Sequence, residues 1–138
     1  EKEYIHLSGT FKGKIQDKQL RIGHGLWYQT LDIAMPAFVY SSLEEIVFYS
    51  IGTDNNRGAM GLGEFQAKKL GEESVTINKT SYCCTKIGVV LTMFPWAWVG
   101  LYWYDKATGQ MIQSGEKRGN SEKIYYQIPD LLKKKISF

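Results

Sequence analysis

An uncharged run of eighteen residues, 87–104, constrains this chain more than any other stretch. A run of this length is at the lower limit for a helix that spans a bilayer, so a transmembrane segment is one interpretation. Its glycines, the β-branched residues at its start and Pro95 in its middle favour strands interrupted by a turn. We therefore expect residues 87–104 to supply buried strands of a sheet.

The polar segment that follows this run is typical of a β-hairpin. Asp105 begins the segment and Gly109 ends it, and glycine allows the positive φ that a short β-connection usually needs. The sequence therefore predicts a pair of antiparallel strands over residues 97–104 and 110–114.

The predicted strand over residues 97–104 has two apolar faces, because successive side chains of a strand point in opposite directions. One face carries Val99, Leu101 and Trp103. The other face is aromatic and carries Trp96, Trp98, Tyr102 and Tyr104. Because Trp and Tyr often dominate binding surfaces, we expect the first face to be core and the second to lie nearer to solvent, a pocket or a partner. Burial of both faces is the alternative.

Length and composition predict one mainly β domain over residues 1–138. Hydrophobic residues at 43% and charged residues at 22% describe an ordinary globular chain, and nine Tyr with only three Pro favour β structure. We expect an antiparallel barrel or sandwich of roughly seven to nine strands, with room for one short helix. A net charge of +3 is too small to indicate a nucleic-acid partner.

Shorter runs of β-forming residues predict the rest of the sheet. The expected strands, besides the central hairpin, are residues 3–15, 20–22, 26–33, 46–51, 64–69, 74–82 and 124–128. The expected turns and loops are residues 16–19, 34–37, 52–63, 70–73 and 115–121. Gly9 is a candidate bulge in the first strand. Ser42 and Glu45 have the spacing of a helix cap, but the β-forming residues that follow favour a strand.

The glycine-rich loop over residues 52–63 is a candidate recognition loop, with Asp54, Asn56 and Arg57 as its polar side chains. It lacks the Lys-Ser/Thr pair of a phosphate-binding loop. A calcium-binding pattern begins at Asp54 but fails at Gly58. A plain connection between two strands is the alternative interpretation.

No catalytic or metal-binding pattern is present in the sequence. The possible nucleophiles, acids and bases show no motif spacing; besides the serines they are His6, His24, Asp32, Asp54 and Cys84. Cys83 and Cys84 would point to opposite faces of a strand, which favours two free thiols, at least one of them buried, over a strained vicinal disulfide. With only two histidines and no further cysteine, we expect no metal site and no cofactor.

These features predict a non-catalytic binding, inhibitory or accessory protein of the cell envelope or secreted space. The chain begins at Glu1 without Met, and residues 101–110 resemble hairpins of exported bacterial proteins, so we expect export. The alternatives are a carrier of a small apolar or sugar ligand in a β-barrel pocket and, third, an enzyme. The expected partner is a protein or such a ligand, not nucleic acid. A weak contact with anionic membranes is expected from Lys133, Lys134 and Lys135.

Overall fold

β-Strands account for most of the described chain. The computed structural model describes residues 3–22, 26–27, 31–54, 59–93 and 99–128, but not the side chains of residues 3, 22, 26–27, 31–33, 53–54 and 59–60. The elements in chain order are β1 (Glu3–Phe11), β2 (Lys14–Ile22), β3 (Leu26–Trp27), α1 (Leu31–Tyr40), β4 (Glu45–Asp54), β5 (Ala59–Ile77), β6 (Thr80–Leu91), β7 (Val99–Asp105), β8 (Met111–Arg118) and β9 (Ser121–Gln127).

The strands form two sheets. The first is the hairpin β1-β2, and the second has seven strands in the order β3-β4-β5-β6-β7-β8-β9. All neighbours pair antiparallel except the two-residue β3, which is parallel to β4. The prediction of a mainly β fold with one short helix is confirmed. The sheets are not closed into a barrel, and the sandwich alternative fits the arrangement.

The central hairpin predicted from the sequence is confirmed. Strands β7 and β8 pair from Val99 opposite Lys117 to Tyr104 opposite Met111. Gly109 has a φ of 70°, in the region that favours glycine. The Asp105 carboxylate accepts hydrogen bonds from the Thr108 amide and hydroxyl, at 3.2 and 2.7 Å, which fixes the turn.

Two hairpin turns lie at positions other than those predicted from the sequence. The turns are Lys12-Gly13, with φ of 48° and 75°, and Asn78-Lys79, with φ of 50° and 69°. Positive φ at both central residues matches the right-handed twist of the flanking strands. Residues 16–19 and 70–73, predicted as turns, lie inside β2 and β5. Their polar residues are surface positions of strands, which the sequence alone did not distinguish from turns.

The expected bulge also lies at another position. Pairing of β1 with β2 is continuous through Gly9, so no bulge exists there. A register shift occurs instead between Lys69 and Gly71, where β5 pairs with β6. The extra residue allows the long strand β5 to bend without ending.

A helix replaces a predicted strand end and loop. Residues 31–33 were expected to be extended and 34–37 a loop, but α1 spans all of them and contains Pro36. Proline removes one helical hydrogen bond, a cost that burial of the helix face offsets. Met35, Phe38 and Val39 on that face are buried against the large sheet.

Two predicted loops are shorter than expected. Residues 52–54 and 59–63 of the loop 52–63 belong to β4 and β5. Most of the predicted charged loop 115–121 belongs to β8 and β9, joined by the two-residue turn Gly119-Asn120. The strands 46–51 and 124–128 were predicted correctly apart from their bounds.

Each face of the large sheet carries its own hydrophobic cluster. The cluster under α1 contains Met35, Phe38, Val39, Ile46, Phe48, Ala67, Ile87, Val89 and Tyr104. The cluster on the other face contains Val75, Ile77, Cys84, Leu101, Trp103, Ile112 and Ile128. Residues 87–91 and 99–104 of the uncharged run therefore lie in central strands. Within the described ranges, no helix has the length and apolar character needed to cross a membrane.

Candidate functional site

The aromatic face of β7 is covered rather than exposed. Tyr104 is 0% exposed in the cluster under α1, and Tyr102 is half-buried against the same cluster. The expectation that Tyr104 lies nearer to solvent is wrong, because α1 covers a face that was predicted to be open. Leu101 and Trp103 are buried as expected. Both faces of β7 therefore pack in the core. The binding role predicted for Tyr102 and Tyr104 stays a prediction, and the burial of these side chains does not support it.

The other predicted binding residues fall largely outside the described residues. Trp96, Trp98, Asn56 and Arg57 lie outside them, as do Lys133, Lys134 and Lys135. Asp54 ends β4 opposite Ala59, and its side chain is not described. The antiparallel order β4-β5-β6-β7 places the end of β4 and the start of β7 at the same end of the sheet. A recognition loop at that end stays a prediction.

The described nucleophiles and bases do not form a catalytic arrangement. His6 Nε2 lies 2.6 Å from Asp17 Oδ1 on the exposed face of the β1-β2 hairpin. Burial is the main reason that the pKa of the Cys84 thiol is raised to about 11, so this thiol is a poor nucleophile at neutral pH. His24 lies outside the described residues, and the side chain of Asp32 is not described.

The two cysteines form no disulfide, and the described residues offer no metal site. Both cysteines are free, Cys83 exposed and Cys84 buried, which confirms the prediction of two thiols on opposite faces. Among the described residues, no three or more His, Cys, Asp and Glu side chains are grouped so that they could hold a metal ion.

A charged cluster that sequence analysis missed lies on the face opposite α1. Lys86 Nζ donates to Glu73 Oε1 at 3.0 Å and to Glu122 Oε1 at 3.2 Å. It lies 4.9 Å from the centre of the Trp103 ring, and Trp103 Nε1 donates to Glu73 Oε2 at 2.8 Å. These contacts join β5, β6, β7 and β9, so the cluster holds the sheet together and offers no open cation for a ligand.

Strand β9 is more accessible than the other strands of the large sheet whose side chains the structure describes in full. All seven of its residues are exposed, so neither of its faces is covered. Ile124, Tyr125 and Tyr126 are its large apolar residues, with exposed fractions of 41%, 58% and 41%. Exposed residues of this kind on one strand are a candidate contact surface.

Side-chain contacts order the residues around Tyr125. Its hydroxyl donates to Glu116, and this hydrogen bond is the main cause that lowers the pKa of Glu116. Lys123 Nζ lies 5.2 Å from the centre of the Tyr125 ring, and Arg118 Nε donates to Glu116 at 3.0 Å. The Tyr125 ring is thus held in place by groups of both β8 and β9.

The outer edge of β9 has no strand beside it among the described residues, since β9 is the last strand of the sheet. The Ile128 amide donates to Ile112 O of β8 at 2.9 Å, so it points inward. Amides of successive strand residues point to opposite sides, so the Gln127 N–H points to the outer edge. We call the segment 124–127 the open edge; it contains no charged residue.

The carrier hypothesis finds less support. It requires a ligand inside a barrel, and the sheets are not closed into one. A groove of about 350 Å³ lies between the β1-β2 hairpin and Ile51, with Ile5, Leu7 and Gln16 among its lining residues. It is a surface groove between the two sheets rather than a barrel interior.

The sequence contained a signal for the open edge. The run Ile124-Tyr125-Tyr126 was predicted as a strand, but it lacks the alternation of polar and apolar residues that a half-buried strand shows. A strand without this alternation is either covered on both faces or exposed on both faces. Because β9 lies at the edge of the sheet and all its residues are exposed, it is of the second kind. Comparison with protein-family models, with curated proteins and with solved structures finds no match.

Proposed function

We propose that this chain is a non-catalytic binding protein that recognises an extended segment of a protein partner along the open edge of β9. The observation that supports the proposal most is the exposure of all seven residues of β9 at the outer edge of the sheet. A partner strand added there would hydrogen-bond to main-chain groups and contact side chains on alternate positions.

The residues of the open edge suit such an interaction. Tyr126 is opposite Ser114, and Tyr125 contacts Glu116 and Lys123, so both rings lie on the same face of β9 and would contact one side of an added strand. Tyrosine combines large rigid area with a hydroxyl and loses little entropy on binding. The contacts of Tyr125 with Glu116 and Lys123 keep its ring ordered before the partner arrives.

The two halves of β9 differ in their suitability for pairing. Glu122 and Lys123 in the first half are charged. The register shift between Ser114 and Gly115 of β8 lies in the second half, where Tyr125 is the extra residue of β9. Charges on an edge strand are one feature by which sheets avoid unwanted pairing. The second half, the open edge, lacks such charges, which localises the proposed contact to residues 124–127.

A selection from a library of phage-displayed peptides on the immobilised full chain tests the proposal. Selected peptides should bind the parent and Gln127→Ala with similar affinity but bind Gln127→Pro at least about tenfold more weakly, because proline removes the outward N–H and adds a ring at the edge. Both variants lose the hydrogen bond from Gln127 Nε2 to Gln113 Oε1, so the comparison isolates the main chain.

Tyr126→Ala should weaken the same peptides by about 1 kcal/mol or more. Peptides that bind Gln127→Pro as well as the parent, or a library that yields no binder, would contradict the proposal. Self-association of the parent that Gln127→Pro abolishes would replace the partner with a second copy of this chain.

We also propose that the protein is exported to the cell envelope or the secreted space. Fractionation of the native cells with an antibody against the full chain is the measurement that decides it.

A further inference from the structure

A cavity lies between the C-terminal end of α1 and the face of the large sheet that α1 covers. Its volume is about 270 Å³, slightly below the range of about 300–1,000 Å³ typical of sites for drug-sized ligands. Val39 of α1 and Gly71 of β5 form part of its wall. Its polar side chains include Lys69 of β5, Thr85 of β6 and Glu44, which precedes β4. A cavity of this size suits a small molecule.

The hydroxyl of Thr85 has no partner within the described part of the fold. Thr85 is 8% exposed and lies opposite Glu72 and Tyr104, on the face of the sheet that α1 covers. Its hydroxyl forms no hydrogen bond with any described residue, yet no fully buried side-chain oxygen among those residues lacks a partner. The hydroxyl therefore keeps contact with the cavity that Thr85 lines. A nearly buried hydroxyl without an internal partner is free to bond to a ligand.

Lys69 brings a positive charge to the same cavity. Its Nζ donates to the Ser41 carbonyl oxygen at 2.6 Å and lies 5.2 Å from the centre of the Phe38 ring. These contacts hold the half-buried side chain at the end of α1. Among the residues that the structure describes, no carboxylate forms an ion pair with Lys69. Its charge and its remaining N–H groups can therefore bind an anion, to which the Thr85 hydroxyl can also donate.

Glu44 brings a negative charge to the rim of the cavity. Its side chain is exposed and pairs with no cation among the described residues, although its main-chain oxygen accepts a hydrogen bond from the Lys69 amide at 2.9 Å. Lys106 and Glu72, which also line the cavity, form an ion pair with each other. The described lining therefore presents one cation and one carboxylate that are not paired within the protein.

We propose that this cavity binds a free α-amino acid as its zwitterion. The carboxylate of the ligand accepts hydrogen bonds from Lys69 Nζ and from the Thr85 hydroxyl, and its ammonium group pairs with Glu44. A simple carboxylic acid would leave Glu44 without a partner, and a simple amine would leave Lys69 and Thr85 without one. These residues belong to elements other than β9, so the inference does not rest on the proposed function of β9.

Isothermal titration calorimetry of the full chain with the standard L-amino acids, each tested separately, tests the inference. At least one of them should bind. Its methyl ester, which lacks the carboxylate, should bind at least about tenfold more weakly. Its N-acetyl derivative, which lacks the ammonium charge, should bind at least about threefold more weakly, a smaller loss because Glu44 is exposed.

Variants of the lining residues locate the bound amino acid. Thr85→Val should lower the affinity about tenfold without lowering the melting temperature, because the hydroxyl has no internal hydrogen bond to lose. Lys69→Met keeps an unbranched apolar side chain beside Phe38 and should lower the affinity at least about tenfold. Glu44→Gln should lower it about three- to fivefold. The matched control is Lys68→Gln, which removes an exposed cation from the opposite face of β5 and should bind like the parent.

The inference is overturned if no amino acid binds at millimolar concentration, or if the N-acetyl derivative or the methyl ester binds as tightly as the amino acid itself. It is also overturned if Thr85→Val and Lys68→Gln bind with equal affinity. A Thr85→Val variant that loses affinity only together with thermal stability would contradict it as well, because the hydroxyl would then have a structural role inside the protein.

Discussion

At the scale of single residues, Gly115 determines how closely β9 can approach β8. A Cβ atom at this position would lie 2.3 Å from the Lys123 carbonyl oxygen, a distance that real Cβ atoms do not adopt. The contacted atom belongs to the backbone, so β9 itself would have to move. Glycine at position 115 is therefore a condition for the register shift that shapes the edge strand.

Gly115→Ala is predicted to lower the free energy of unfolding by about 1–3 kcal/mol, because the added methyl group collides with the β9 backbone. Chemical denaturation measures the change. Gly52→Ala is the control, because a Cβ atom there meets nothing within 4 Å and should leave the stability nearly unchanged. Equal stabilities of the two variants would show that β9 does not approach Gly115 as described.

Glu73 is predicted to make stability depend on acidic pH. The hydrogen bond from Trp103, together with Lys86, holds the pKa of Glu73 below its ordinary value of 4.5 despite partial burial. Its contribution is therefore complete above pH 4.5 and is lost as the pH falls through the lowered pKa. The carboxylate is half-exposed, so the contribution is below about 1 kcal/mol.

Denaturation of the parent and of Glu73→Gln at a series of pH values measures this contribution. The difference between their unfolding free energies should shrink as the pH falls below 4.5. Glu44→Gln, which removes a carboxylate just before β4, is the control and should show a smaller change. A difference that stays constant with pH would mean that Glu73 is not paired in solution.

At the scale of elements, the turn between β5 and β6 combines a suitable and an unsuitable residue. Asn78 and Lys79 both have positive φ, at 50° and 69°. Asparagine tolerates this conformation, whereas lysine adopts it at a cost, and Asn-Gly is the preferred pair in such turns. The sequence thus departs from the usual turn signal, which is why the turn was expected elsewhere.

Lys79→Gly is predicted to raise the thermal stability, with a gain of about 0.5–1 kcal/mol after the entropy of glycine in the unfolded chain is subtracted. Lys68→Gly, in the interior of β5, is the matched control and should destabilise by about 1 kcal/mol. Melting temperatures of the three proteins test the assignment. Destabilisation by Lys79→Gly would contradict the positive φ at this residue.

At the scale of the whole molecule, the sequence was sufficient for the fold class and for the central hairpin. Asp105 and Gly109 are local signals, and the structure places the turn between them. Helix α1 could not be read from its own residues, since Pro36 and the β-forming residues before it oppose a helix locally. Its stability comes from contacts of Met35 and Phe38 with distant strands, which no local pattern encodes.

The candidate site also depends on long-range contacts that local sequence signals do not encode. The aromatic residues of β7 were predicted to form a contact surface, but the unpredicted helix covers Tyr104. The tyrosines of β9 have the same local chemistry and remain exposed, because β9 lies at the end of the strand order. Strand order is set by long-range pairing, so the sequence gives the residues of a surface but not which strand carries it.

The central claim is that residues 124–127 of β9 form an open edge, and amide hydrogen exchange of the free protein tests it most directly. The Ile128 amide is bonded to Ile112 O and should exchange slowly, whereas the outward Gln127 amide should exchange fast. Addition of a selected peptide should slow exchange at Gln127. Protection of Gln127 equal to that of Ile128 in the free protein would mean that another segment already pairs with this edge, and would contradict the account.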